Sequence, residues 1–89
     1  MDDWIKSSDL TNQIKFLLID LDAALTFMDI AEATTDEEMQ QRNFQNARHA
    51  YDTVLRLMQK VPLDDAQNEA IRERLTLLRT RLEGVGQKF

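Results

Sequence analysis

Helix breakers are almost missing from this chain. Its 89 residues include two glycines and one proline, and all three fall between or after stretches of regular apolar spacing. Glycine and proline are the strongest local interrupters of an α-helix, so long tracts without them leave helical periodicity free to run. Pro62 separates two such tracts, and Gly84 and Gly86 close the last one. No run shows the alternation of a half-buried strand, and no internal repeat is present. The expectation is an all-α fold: a single helical domain over residues 1–89, built as a three-helix up-down-up antiparallel bundle and completed by dimerisation.

Capping residues set the expected boundaries. Helix 1 is predicted over about 9–33, with the Ser8 hydroxyl accepting from the unpaired amides of the first turn. Helix 2 is predicted over about 36–60. Its start reads Thr35-Asp36-Glu37-Glu38, a capping box in which Thr35 and Glu38 serve each other's amides while the acids favour the positive helix end. Pro62 stops that helix, and Asp64-Asp65-Ala66-Gln67 has the spacing of a second box, opening helix 3 over about 65–83. Residues 1–7 and 84–89 are read as loosely ordered termini.

Placing residues at helical intervals shows which faces are apolar. Met39, Phe44, Ala47, Ala50, Tyr51, Val54, Leu55, Leu57, Met58 and Val61 share one arc of helix 2. Ile71, Leu75, Leu78, Leu82 and Val85 alternate spacings of four and three along helix 3, the seam of a coiled-coil-like contact. Helix 1 differs. Leu10, Ile14, Leu17, Leu18, Leu21, Ala24, Leu25 and Met28 form its main face, while Phe16, Ile19, Ala23, Phe27 and Ile30 form a second stripe roughly opposite. A helix apolar on two sides needs two sets of neighbours.

In a bare bundle that second stripe would face water, forgoing about 1.5–3 kcal/mol for each Phe and Ile. Association costs about 4–15 kcal/mol in lost freedom, so the two quantities are of similar size. The expected role is therefore a non-enzymatic interaction or scaffold module, a homodimer using Phe16, Ile19, Ala23, Phe27 and Ile30 as its association surface. Two other readings remain open: helix 1 is central in the monomer, with helices 2 and 3 on different sides, or the stripe awaits another protein.

Charge narrows the partners. The formal net charge is -5, which opposes nucleic-acid binding, where phosphate contact supplies much of the affinity. Yet the balance shifts along the chain, and Arg72, Arg74, Arg79 and Arg81 flank the leucine seam of helix 3. They raise the alternative of a small regulatory protein that binds an anionic ligand or nucleic acid. The competing reading has their stems covering the core and their heads meeting acids of helices 1 or 2. No apolar run approaches the roughly 20 residues of a membrane span and no secretory signal is read, so a cytoplasmic location is expected. Without cysteine there is no disulfide, thiolate site or cysteine nucleophile.

Catalytic, cofactor and metal sites are not expected. His49 is the sole histidine, on the polar side of helix 2, and the only serines are Ser7 and Ser8. Asp20, Asp22, Asp29 and Glu32 line helix 1 without forming a tight pair, and a salt-bridged face is the expected reading. Asn43 lies within the apolar arc of helix 2, where a polar residue either fixes register at some cost in stability or lies where the helix end leaves the core. The Tyr51 hydroxyl is expected to reach solvent or a partner group. Gly84-Val85-Gly86 follows a helix rather than opening one, so it is no nucleotide loop.

Ala50, Val54, Leu57 and Pro62 resemble the second helix and closing proline of a tetratricopeptide repeat, a peptide-binding helical hairpin, over about thirteen residues. The first-helix signature departs from that pattern, with Glu38 where glycine is preferred and no tryptophan at the position before it. At least three repeats are needed for a stable array and the sequence shows hardly one, so no family is assigned.

Overall fold

A computed structural model of the chain describes the backbone of residues 2–89 and the side chains of residues 10–89. It is all-helical and compact, with α1 at Asp2–Ala33, α2 at Glu37–Met58 and α3 at Asp65–Gly84. No strand occurs among the described residues. The main face of α1 enters the core as expected, with Leu17, Leu21, Ala24 and Met28 excluded from solvent and Ala31 continuing the row. Phe44, Ala47, Ala50, Tyr51, Val54 and Met58 close over it from α2, and Ile71, Leu75, Leu78 and Leu82 from α3. The i, i+3, i+4 spacing on all three helices brings these side chains onto single faces, where they pack into one cluster.

The helix ends depart from the expected boundaries in instructive ways. Helix α1 extends back to Asp2, so Ser8 lies inside it; the side chains of that segment, Ser8 included, are outside the described residues, as is Met1. The cap of α2 is Asp36, not Thr35. The Asp36 carboxylate accepts from the Met39 amide at 3.2 Å, and the Asp36 amide donates to the Thr34 hydroxyl at 3.2 Å. A carboxylate competes for an N-terminal amide better than a hydroxyl does, because it also answers the helix dipole. At the other end α2 stops at Met58, two residues early, where Lys60 N–H closes a tight turn on the Leu57 carbonyl at 2.9 Å.

The box opening α3 is as read from the sequence. Asp64 accepts from the Gln67 amide at 2.7 Å while the Gln67 side chain accepts from the Asp64 amide at 3.0 Å. Beyond α3 the chain is not a trailing end. Gln87 N–H reaches the Leu82 carbonyl at 3.0 Å and Gly86 N–H reaches that of Glu83 at 3.0 Å, a Schellman pair. It requires a left-handed residue between them, and Gly86 takes φ +95°. This reversal brings Phe89 against Tyr51 of α2, ring centroids 4.9 Å apart in an edge-on arrangement. This differs from a loose 84–89, because glycine after a helix signals its end without showing that the following residues fold back on α2.

Candidate interaction surface

The second stripe of α1 divides in two. Phe27 is half-buried and packs against the core, and Ala23 is half-buried as well. Phe16, Ile19 and Ile30 stay in water, with 56 %, 65 % and 43 % of their surface exposed. The stripe is thus a flank rather than a face directly opposite the core: Phe27 reaches the core cluster, while Phe16, Ile19 and Ile30 are turned further round. Near its start, Phe16 and Leu17 border a groove of about 470 Å³ whose other apolar walls are Leu57 and Val61.

Met39 of α2 neighbours the end of this flank. Met39 belongs to the apolar arc of helix 2, yet it is 45 % exposed. Thr34 ties it to the end of the flank, since its amide bonds the Ile30 carbonyl at 3.1 Å and its hydroxyl points to the Met39 sulfur at 3.8 Å. Periodicity assigns Met39 inward, but it sits in the first turn of α2, where the helix has not yet come under cover. Leu55 and Val85 are likewise more exposed than their arcs imply, and Leu77 is an exposed leucine on α3 outside the seam.

Three acids of α1 are structural partners. Asp22 accepts from Arg74 Nε at 3.1 Å; Asp29 and Glu32 accept from Arg81 Nη2 at 2.8 and 2.9 Å. Burial pulls the Arg81 guanidinium toward release of its proton, but Asp29 and Glu32 outweigh that and leave it raised above the ordinary arginine value. Among the described residues no group of three or more His, Cys, Asp or Glu side chains is placed to hold a metal. His49 is exposed. Asn43 spends its amide on the Met39 carbonyl of its own helix at 2.9 Å, so it makes no cross-helix register contact through that group.

The four arginines do not converge on one strip. Arg74 and Arg81 turn to α1, whereas Arg72 and Arg79 border a groove of about 530 Å³ between α2 and α3. Arg72 Nε donates to Asn68 at 2.6 Å. Arg79 Nε donates to Glu83 at 2.9 Å, and Glu83 first, then Tyr51, raise its affinity for its proton. Heads meeting acids of another helix, the expectation for all four, therefore describes only two.

No described helix is long and apolar enough to cross a membrane. No family model matches the chain, and no curated protein or solved structure matches it either.

Proposed function

We propose that this chain is a non-enzymatic helical interaction module that self-associates as a homodimer through the outer flank of α1. The observation that carries the reading is the exposure of Phe16, Ile19 and Ile30 along one helix whose other side already fills the core. We further infer that the helices run up-down-up. The Asp22–Arg74 and Asp29–Arg81 pairs support this order, because both span 52 residues and so advance in step along α1 and α3.

Magnitudes decide what kind of dimer this is. Scaled by exposure, the three side chains offer about 2.5–5 kcal/mol of burial per copy and about twice that for a symmetric pair. Lost translational and rotational freedom costs about 4–15 kcal/mol, so the pairing is weak and concentration-dependent rather than obligate. Because Phe27 is already committed to its own core, it contributes less than the full stripe would have. Sedimentation equilibrium of the wild type and of the Phe16→Asp/Ile19→Asp variant tests this. The wild type should gain mass with concentration and the variant should remain at one chain; a wild type that stays monomeric throughout contradicts it.

A further inference from the structure

Away from that flank, α2 and α3 together hold a phenylalanine ring, and the way they do so has the chemistry of a receptor. The Arg48 guanidinium carbon lies 3.9 Å from the Phe89 ring centroid and that of Arg79 lies 4.9 Å from it. Tyr51, itself buried, meets the ring edge-on at an interplanar angle of 66°. Each arginine is held by an acid one turn along its own helix, Arg48 by Asp52 at 3.2 Å and Arg79 by Glu83 at 2.9 Å. Those ion pairs lie within the helices, while the Nη1 of Arg48 is left to bond the tail itself. Guanidinium cations near a ring centroid and a second ring at a T-shaped angle are surroundings that favour an aromatic side chain.

The notch also grips main chain. Arg48 Nη1 donates to the Lys88 carbonyl at 2.6 Å and to the Gln87 side-chain oxygen at 3.4 Å. A peptide carbonyl just before an aromatic residue is therefore the second element recognised. The occupant is attached by a short turn through Gly86, and its ring remains 42 % exposed, so the contact is shallow enough to exchange.

We propose that Arg48, Tyr51 and Arg79 form an acceptor notch for a phenylalanine-bearing peptide segment, and that Phe89 fills it in cis. A partner segment of that chemistry engages the α2–α3 side only by displacing the tail. This surface is separate from the α1 flank and does not depend on it.

The test uses the full chain with Phe89→Ala, which removes the ring from the notch and leaves the Lys88 carbonyl as a competitor for Arg48, and the peptide acetyl-Gln-Lys-Phe-amide as probe. Titration is followed by NMR at the Arg48 and Arg79 Nε–H and the Tyr51 ring, with core methyl signals reporting that the variant is folded. Saturable shifts at those three residues are expected in the variant, with binding in the wild type weaker by about fivefold, the worth of one exposed cation–π contact. Replacing Phe by Ala in the peptide, or adding Arg48→Ala to the variant, should weaken binding by a similar factor. A folded variant with no saturable shifts at the notch, or equal binding by wild type and variant, overturns the proposal.

Discussion

Arg81 of α3 donates to Asp29 of α1 at 2.8 Å from a side chain that is only 23 % exposed, while Asp29 itself is largely in water. The guanidinium also holds Glu32, so one buried-stem cation closes the end of the α1–α3 seam against two acids. Such a pair is worth more than an isolated surface bridge, because the guanidinium makes two charge-assisted bonds that solvent and salt screen less at a partly buried site.

Arg81→Ala is expected to cost about 1–2 kcal/mol in urea denaturation, and Asp29→Ala less than 1 kcal/mol. A double-mutant cycle should return a coupling of about 0.5–1 kcal/mol between them. Strictly additive losses would mean that the contact contributes nothing beyond the packing of the arginine stem.

The caps offer a comparison between neighbouring residues. Asp36→Ala and Asp64→Ala should each lower stability by about 1 kcal/mol, since each removes the acceptor for an N-terminal amide. Thr35→Ala should change it by less than about 0.5 kcal/mol, as an exposed residue next to the cap whose hydroxyl is not the acceptor for the Met39 amide. Circular dichroism melts of the three variants check the order; Thr35→Ala as the most damaging would restore the hydroxyl cap suggested by residue spacing.

The contrast between Thr35 and Asp36 also shows how far residue order reaches. Three helices, the core faces of α1 and α3, and the Asp64–Gln67 box all follow from local spacing, because each depends on residues within one or two turns. The choice between adjacent capping groups does not, since both satisfy the same pattern and only backbone dihedrals decide: Asp36 has the extended φ −79°, ψ 110° of a cap. Distances across the bundle are less legible still. That Phe27 is covered while Ile19 is not depends on how the three helices pack, and that Phe89 returns to Tyr51 depends on a turn at Gly86 far from Tyr51 in sequence. Leucine spacing identified the seam of α3, but the different fates of Arg72, Arg74, Arg79 and Arg81 were set by what the opposing helices present.

Leu21 and Leu78 are completely shielded from solvent in the shared core. Either one truncated to alanine should cost about 2–5 kcal/mol, the transfer loss plus an unfilled cavity. In a domain this small that is a large share of the total stability, so the chemical denaturation midpoint should fall steeply. A loss below about 1 kcal/mol at either site would mean that the helices do not meet there.

Gly86→Ala isolates backbone strain from crowding. A methyl group there would meet nothing within 4 Å, but φ is +95°. The expected loss is about 1–2 kcal/mol, or relaxation of the turn with release of Phe89. Gly84→Ala, also uncrowded and without a positive φ, should be neutral or slightly stabilising. Thermal melts combined with the Tyr51 ring shifts distinguish the two sites; equal effects would argue against the Gly86 turn.

Contact between copies through α1 is the claim on which the functional reading stands, and isotope-filtered NOE spectroscopy addresses it most directly. A concentrated mixture of carbon-13-labelled and unlabelled chains should give intermolecular NOEs from the Ile19 and Ile30 methyls to the Phe16 ring or to each other, fading on dilution. Intermolecular NOEs confined to other residues, or none at concentrations where the mass has risen, would contradict it.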